Sequence, residues 1–323
     1  MHLFRMPQRT LFLTGLLALG LLTHAYAQQS AAGCQPNSYK PSGERLLNDW
    51  ELTRESDCGS FRLRGYRPIS VGLSIANSVN NTPSAPSLGR QRSENQSFDT
   101  TEARLQLSFR TKLAIGLLPL EQSGLNDSLW FGYTQQSYWQ VFSSDNSKPF
   151  RTTDHEPELI YVYPVSAALS MGWSLRYVGL NLSHQSNGES LPYSRSWNRW
   201  IASAGLERSD HWYAVARAWW RLPGDGQDDD NPDILRKLGR AELQLAWKPS
   251  AQHLFSLSFR HALTHKESGA VIIEWFRPLA ADRSGRRSNL ALHGRIFSGY
   301  GDSLVDYNYR RTAVSYGLSL IDF

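Results

Sequence analysis

Apolar and polar residues alternate with a period of two in many stretches of this chain, and this alternation limits the possible fold more than any other feature. Such a pattern places apolar and polar side chains on opposite faces of an extended strand. Turn residues separate the runs, and no helical period competes with them. The sequence therefore predicts an all-β protein, with the clearest strands at residues 103–110, 241–248, 255–260 and 289–296.

After its first 27 residues the chain contains no apolar stretch of the roughly 18 residues that a membrane-spanning helix needs. Insertion into a membrane would therefore require a closed β-barrel. The polar faces of the strands carry Arg, Gln and Glu, which suits a membrane-barrel lumen better than a soluble core. The 11 Trp, 14 Tyr and 13 Phe are typical of interfacial girdles, although an aromatic-rich soluble β domain remains an alternative.

Eight further candidate strands bring the total to twelve, and an even number closes an antiparallel barrel. We therefore expect a 12-stranded antiparallel transmembrane β-barrel over residues 66–323. Residues 316–323, an apolar strand ending in Phe323, resemble the terminal signature of bacterial outer-membrane barrels. The eight further strands begin near Ile69, Leu129, Glu158, Trp173, Arg199, Trp212, Val271 and Tyr309.

The N-terminal residues 1–27 read as a secretory signal peptide. Arg5 and Arg9 precede an apolar core at residues 11–22, and Ala-Tyr-Ala ends at residue 27. Removing this segment, which holds two Arg and no acid, lowers the formal net charge from +5 to +3. So small a charge gives no reason to expect a nucleic-acid partner. The signal peptide and the predicted barrel together indicate the bacterial outer membrane as the destination.

Two cysteines lie in residues 28–65, which we expect to form an N-terminal periplasmic segment. Cys34 and Cys58 would meet an oxidising environment there, and we expect them to form a disulfide. The alternative is lipid attachment at Cys34, but the usual large aliphatic residue upstream is missing.

Two polar stretches interrupt the strand pattern. Residues 78–100 are rich in turn residues and fit an extracellular loop after the first strand. Residues 225–233 contain five Asp and could attract a hard cation through carboxylate oxygens. A plain solvated loop is the equally weighted alternative there.

Residues 176–200 concentrate the side chains that could carry chemistry. The even positions 178–182 form an apolar face, and the same parity continues to His184 and Ser186. On the next strand the apolar parity of residues 200–206 extends back to Asn198. All three polar residues should therefore face lipid, and antiparallel pairing could bring Asn198 beside His184.

Ser186 could then attack an ester carbonyl while His184 takes its proton and Asn198 orients the imidazole. A neutral amide stabilises imidazolium less than a carboxylate does, so the oxyanion needs further help. The backbone at Asn187-Gly188 and a divalent cation could supply it. The alternative treats His184 and Ser186 as ordinary polar residues at the strand rim.

The segment His184-Gln185-Ser186-Asn187-Gly188, followed by Ser194-Arg195-Ser196-Trp197-Asn198, resembles the active-site signature of the outer-membrane phospholipase A family. The resemblance covers nearly all of the chain from about Tyr66. Further matching segments are Tyr133–Gln135, Lys148–Arg151, Glu156-Pro157, Asp230–Ile234 and Ser298–Ser303.

The resemblance implies a twelve-stranded barrel with phospholipase A1, A2 and lysophospholipase activity on its lipid-facing wall, at the outer leaflet. It assigns Ser186 as nucleophile, His184 as base, Asn198 as the orienting residue and the Gly188 amide as oxyanion donor. It further implies activation by calcium-dependent homodimerisation. The implied calcium ligands are the Ser194 side chain, the carbonyl oxygen of Glu189 and, from a second copy, Ser147.

The sequence departs from the family pattern at two positions. Glu189 stands where the family often has Arg, which changes the charge near the metal. Leu191 stands where an acid is found in the family. Asp230 matches a residue that, with this acid, forms a second calcium site in the monomer, so Leu191 calls that second site into question.

Gln135 shares its parity with mostly apolar residues, including Phe131 and Tyr133, and should face lipid near mid-strand. An unpaired amide there is costly. A second copy of the amide across a dimer would satisfy it, in agreement with the family's dimer contact. The alternative is a bond to water or to Ser137.

Other functions fit the sequence less well. A passive outer-membrane pore, or a purely structural barrel, explains the polar inner faces but leaves a lipid-facing His, Ser and Asn without a role. A soluble esterase would normally show Gly-x-Ser-x-Gly, which does not occur. His261 and His265 are four residues apart, but without an HExxH motif they fit strand-end histidines better than a metal site.

Overall fold

The computed structural model describes residues 45–87, 89–90, 97–120, 124–144, 149–224, 229–264, 268–279 and 289–321. It contains two short helices, α1 (Arg45–Asp49) and α2 (Ile234–Lys237), and a 3-10 turn at Ser170–Gly172. None of the helices in these ranges is long and apolar enough to cross a membrane. The strands are β1 Leu63–Gly65, β2 Ile69–Ala76, β3 Thr101–Ile115, β4 Ser128–Trp139, β5 Phe150–Ala168, β6 Ser174–Ser186, β7 Ser196–Arg208, β8 Trp212–Arg221, β9 Ala241–Ser250, β10 His253–His261, β11 Ala270–Pro278, β12 Leu290–Gly299 and β13 Arg311–Leu320.

Strands β2 to β13 form a closed antiparallel barrel in which each strand pairs with its neighbours in sequence. The barrel closes where β2 pairs with both β13 and β3. The short β1 pairs with β3 beyond the end of β2, so it continues the first barrel strand after an interruption. The predicted 12-stranded antiparallel barrel is confirmed.

The distribution of side chains is inverted relative to a soluble protein. On β3, Leu107 is 44% exposed on the outer wall, whereas Arg104 is 6% exposed and faces the lumen. Around the barrel, the exposed large residues of the strands are mostly apolar, and the buried polar residues include many Arg, Glu and Ser. An apolar belt of this kind is stable in lipid and would be costly in water.

Ion pairs in the lumen fix the three strands that carry the candidate site. Glu156 on β5 pairs with Arg67 at 2.8 Å and with Arg199 on β7. Glu158 pairs with Arg67 at 3.1 Å and accepts a hydrogen bond from Asn181 on β6. Since buried charges are stable only when paired, this cluster ties β5, β6 and β7 together from the inside.

Residues 300–310 fold back into one end of the barrel. Leu304 and Tyr307 are buried there against Trp197 and Ile234. Asp302 lies at the base of this loop, where burial alone would raise its pKa. The guanidinium groups of Arg311 and Arg295 instead hold the pKa of Asp302 well below its usual range.

The N-terminal part of the described chain closes the opposite end. Leu46, Leu47 and Trp50 enter the lumen and pack against apolar residues of β4, β5 and β6. The Arg110 guanidinium lies 4.1 Å from the centroid of the Trp50 ring, a cation–π geometry. This end of the barrel is therefore filled by the chain itself.

Several expectations from the sequence can be compared with these elements. The described part of residues 78–100 lies between β2 and β3 and outside any named strand, as predicted for a loop, whereas residues 88 and 91–96 lie outside the described ranges. The predicted strand start near Glu158 is wrong, since β5 begins at Phe150. The sequence did not show this because the outward residues Thr153 and His155 are polar, so apolar and polar residues do not alternate there. The strand Leu63–Gly65 was not predicted.

The predictions for the N-terminal residues can be compared with the structure only from residue 45 onward. Cys58 is disulfide-bonded, and Cys34, the other cysteine of the chain, lies outside the described residues. The predicted signal peptide, residues 1–27, and the terminal Phe323 also lie outside them. His261 ends β10, whereas His265 is again outside the described ranges.

Candidate active site

His184 and Asn198 lie side by side on the outer wall of the barrel. They are register partners in the antiparallel pair β6–β7, and both side chains are exposed. His184 Nδ1 lies 2.8 Å from Asn198 Oδ1. An amide oxygen can only accept, so the shared proton is on Nδ1 of the neutral ring and Nε2 carries a lone pair. The pairing predicted from strand parity therefore forms.

Ser186 is the last residue of β6 and lies two residues beyond His184 on the same side of the strand. It faces His155 on β5 and Ser196 on β7 as register partners. Its side chain is half-buried, while the apolar residues preceding it, such as Leu180 and Leu182, are exposed on the outer wall. The hydroxyl thus stands at the rim of an apolar surface.

The loop after Ser186 is shaped by one buried side chain. Asn187 Nδ2 donates to the carbonyl oxygen of Tyr193 at 2.8 Å, and its Oδ1 accepts from the Arg195 amide at 2.9 Å. Gly188 follows with φ of +66°, a left-handed conformation that favours glycine. Burial lowers the pKa of the Arg195 guanidinium, which stands at the end of this loop.

Asp230 joins this loop to the segment that precedes α2. Its Oδ2 accepts hydrogen bonds from Ser194 at 2.9 Å and from Ser196 at 3.0 Å. Its Oδ1 pairs with Arg90 Nη2 at 2.8 Å. Because the Ser194 hydroxyl donates to Asp230, the lone pairs of that hydroxyl stay available.

The remaining predicted ligands are partly visible. Glu189 is exposed beside Gly188, and no hydrogen bond to its carbonyl oxygen is found among the described residues. Its amide lies 3.4 Å from Asn187 Oδ1. Ser147 lies outside the described residues. Leu191 is exposed at the tip of the loop.

Gln135 lies on the outer wall two strands from Ser186, as its parity predicts. Its Nε2 donates to Ser137 Oγ at 3.3 Å, and its Oε1 lies 3.2 Å from the Tyr133 hydroxyl. That hydroxyl lies 2.7 Å from His155 Nδ1. A polar chain therefore leads along the outer wall from Gln135 to the register partner of Ser186.

Sequence reasoning did not identify His155 and Tyr133 as neighbours of the site. Tyr133 was placed correctly on the parity of Gln135, but β5 was started too late to include His155. The signal that could have located His155 is its parity with Leu159, which is 42% exposed on the outer wall.

A closed barrel with an apolar outer wall, a charged lumen and polar residues clustered on its lipid-facing side defines an integral protein of the bacterial outer membrane. Comparison with known proteins narrows this class. The phospholipase A1 family matches residues 46–320, and the chain belongs to this family.

Relatives and solved structures agree with this assignment. The Salmonella typhimurium phospholipase A1 is 33% identical over 230 residues, covering 71% of this chain and 72% of the relative. The outer membrane phospholipase dimer with bound calcium from Salmonella typhi superposes with a TM-score of 0.70 at 28% identity, covering 82% of this chain and 94% of that one. An active-site asparagine-to-alanine mutant of the Escherichia coli outer membrane phospholipase A superposes with a TM-score of 0.67 at 26% identity, covering 82% of this chain and 94% of that one.

Proposed function

We propose that this protein hydrolyses acyl esters of phospholipids in the outer leaflet, with phospholipase A1, A2 and lysophospholipase activity, through Ser186, His184 and Asn198. The observation that carries the proposal is the 2.8 Å contact between His184 Nδ1 and Asn198 Oδ1 on the lipid-facing wall, two residues from a serine. This contact leaves Nε2 of His184 with the lone pair that a base needs.

The chemistry follows from these positions. Ser186 Oγ attacks the ester carbonyl carbon while its proton passes to His184 Nε2. The tetrahedral species collapses, and the imidazolium gives its proton to the departing alcohol, which leaves the acyl group on Ser186. A water molecule then attacks the acyl-enzyme with His184 as base, the imidazolium returns this proton to Ser186 Oγ as the acyl–oxygen bond breaks, and the fatty acid is released. Asn198 keeps the ring oriented through both halves.

Negative charge develops on the carbonyl oxygen, and Gly188 follows the nucleophile closely enough to meet it. Its left-handed conformation turns the backbone away from the strand direction. We assign the Gly188 N–H as the oxyanion donor, since a preorganised backbone amide is effective in a site that excludes water.

Calcium is the expected cofactor, and the residues present fit it. The hydroxyl of Ser194 and the carbonyl oxygen of Glu189, which accepts no hydrogen bond from the residues that the structure describes, are hard oxygen ligands of the kind that calcium binds. Asp230 orients the Ser194 hydroxyl and adds negative charge, which Arg90 partly offsets. This pairing gives Asp230 a supporting role at the Ser194 site. Bound calcium would supply positive charge for the oxyanion.

A homodimer would complete this site. One chain offers two oxygen ligands, which are few for an ion that takes six to eight. Ser147 of a second copy would add another. The related Salmonella typhi protein is a dimer with bound calcium. Gln135 lies on the outer wall, where its counterpart in the second copy could bond to it.

The passive-pore alternative is disfavoured by the contents of the barrel. Residues 300–310 fill one end and Trp50 with its neighbours fills the other. The cavity between them measures about 250 Å³ and is lined by paired Arg and Glu residues. A water-filled channel needs a continuous path, and both segments occupy space that such a path would require.

Hydrolysis by refolded protein tests the proposal. We expect the wild type to release fatty acid from phospholipid in mixed micelles with calcium, and a chelator to stop the release. Ser186→Ala should abolish it, whereas the matched control Ser190→Ala, in the same exposed loop, should leave it unchanged. Release by folded Ser186→Ala protein, or none by folded wild type under any condition, contradicts the proposal.

A further inference from the structure

Two glycines face each other where β2 and β13 pair to close the barrel. Gly72 on β2 is the register partner of Gly317 on β13. Their neighbours Leu73 and Tyr316 are exposed on the outer wall, so both glycines have the lumen parity. A Cβ on Gly317 would lie 2.1 Å from the carbonyl oxygen of Val71. A Cβ on Gly72 would lie 2.7 Å from the carbonyl oxygen of Tyr316, so neither position has room for a side chain.

Long polar side chains flank this glycine pair inside the lumen. In the same register row, Arg104 on β3 pairs with Gly72, and His293 on β12 pairs with Gly317. A cavity of about 10 Å³ lies between them, which is room for one particle of the size of a water molecule. The polar side chains that line it, each between 5% and 8% exposed, are those of Arg104, His293, Arg295 and Ser315.

Three of these side chains each have a buried polar atom without a hydrogen-bond partner among the described residues. The atoms are Arg104 Nε, Arg295 Nη1 and Ser315 Oγ. Guanidinium nitrogens can only donate, and a serine hydroxyl can also donate. Because buried polar groups are normally hydrogen-bonded, three such atoms around one small cavity indicate a bound acceptor.

The charge of Arg104 distinguishes an anion from a water molecule as this acceptor. Arg104 Nη2 donates to Oε1 of Gln106 at 2.9 Å and to Oε1 of Gln136 at 2.7 Å, and both are neutral amides. Among the described residues, no carboxylate lies within ion-pairing distance of Arg104. A buried cation is costly unless an opposite charge compensates it. A water molecule would satisfy the hydrogen bonds and leave the charge uncompensated.

The acidic side chains of this region are engaged with other cations. Asp302 lies 3.0 Å from Arg295 and 2.6 Å from Arg311, so one carboxylate serves two guanidinium groups. Glu274 Oε1 contacts His293 Nε2 at 3.3 Å. The small cavity therefore borders a guanidinium group that these carboxylates do not pair with.

We propose that this cavity binds a single halide ion, in the form of chloride, through Arg104, Arg295 and the Ser315 hydroxyl. Its size admits one monatomic ion and excludes phosphate and other polyatomic anions. Arg104 and Arg295 also line the larger lumen cavity, which gives the ion a polar route to the site. The ion joins β3 to β12 and β13 across the glycine pair, where the lumen wall has no side chains of its own.

Diffraction with bromide tests the site directly, because bromide replaces chloride and scatters anomalously. Crystals of the full mature chain, grown in detergent with sodium bromide, should show one anomalous peak between the guanidinium groups of Arg104 and Arg295 and the Ser315 hydroxyl. Electron density for a water molecule at that position, without an anomalous signal, would overturn the proposal.

Urea unfolding in vesicles tests the charge requirement. Chloride is compared with gluconate, which is too large for the cavity, at constant ionic strength. A site half-filled at about 10 mM chloride would raise the ratio of folded to unfolded protein about 50-fold at about 500 mM chloride. Arg104→Gln should abolish this dependence, and Ser315→Ala should weaken chloride binding about three- to tenfold. Arg217→Gln is the matched control, since Arg217 pairs with Glu242 at 2.9 Å, and it should keep the dependence.

The results decide the proposal without reference to hydrolysis, because a chelator is present and no substrate is added. Equal stability of the wild type in chloride and gluconate would overturn the halide site. A chloride effect of the same size in Arg104→Gln would also overturn it, since the effect would then belong to the solvent. If Arg104→Gln does not fold, Ser315→Ala and the bromide peak decide.

Discussion

Asn198 is the residue whose contribution is most sharply defined by the structure, because its Oδ1 lies 2.8 Å from Nδ1 of the His184 ring. Asn198→Ala should lower kcat about 10- to 100-fold with little change in KM, since the loss falls on orientation of the base. Asn198→Asp should retain most activity, because a carboxylate accepts the same hydrogen bond. Steady-state kinetics in mixed micelles measures both, and equal activity of Asn198→Ala and wild type would remove Asn198 from the mechanism.

Asp230 affects the expected calcium site in two ways, by accepting a hydrogen bond from the Ser194 hydroxyl and by its negative charge. Asp230→Asn should raise the calcium concentration for half-maximal activity about fivefold, which corresponds to ~1 kcal/mol for one charge near the metal. Asp233→Asn is the control, since Asp233 lies in the same segment but accepts its hydrogen bond from Tyr307. An unchanged calcium dependence in Asp230→Asn would argue against this role.

At the scale of elements, the segment around α1 is a plug for one end of the lumen. Trp50 is 8% exposed and stacks edge-on against Trp130 at 5.8 Å between ring centroids. Trp50→Ala should lower the free energy of unfolding by about 3–5 kcal/mol and produce ion conductance in planar bilayers, which the wild type should lack. Conductance by the wild type equal to that of the variant would revive the pore interpretation.

Strands β5, β6 and β7 differ in how well the sequence predicts the positions of their site residues. The alternation on β6 and β7 was regular, so the outward parity of His184, Ser186 and Asn198 predicted their shared face, and antiparallel pairing predicted the contact of His184 with Asn198. On β5 the outward positions Thr153 and His155 are polar, so apolar and polar residues do not alternate in the part of the strand that lies beside Ser186. Strand pairing, which joins residues about 30 positions apart, was required to place His155 beside Ser186.

The plug could not be predicted for a different reason. Helix α1 has only five residues, too short for a hydrophobic period to be visible. Its apolar residues become informative only once the barrel lumen that receives them is known. Similarly, Arg90 pairs with Asp230 across 140 positions, and no local pattern marks that pairing.

At the scale of the whole molecule, the outer wall is expected to be solvated by lipid, and a charge there should be costly. Leu180→Arg, on the exposed face of β6, should lower the free energy of unfolding in vesicles by about 2–4 kcal/mol. Leu117→Arg, also exposed but beyond the end of β3, should cost about 1 kcal/mol or less. Urea titrations in vesicles measure both, and equal costs would contradict the placement of β6 in the bilayer core.

The central claim is that the lipid-facing Ser186 is the nucleophile of a calcium-dependent ester hydrolase. The most direct measurement is mass spectrometry of the refolded protein after reaction with a long-chain fluorophosphonate, with calcium and with chelator. The account predicts one adduct, on the peptide that contains Ser186, formed faster with calcium and at least about tenfold more slowly in Asn198→Ala. An adduct on another residue, or hydrolysis that continues while Ser186 stays unmodified, would contradict it.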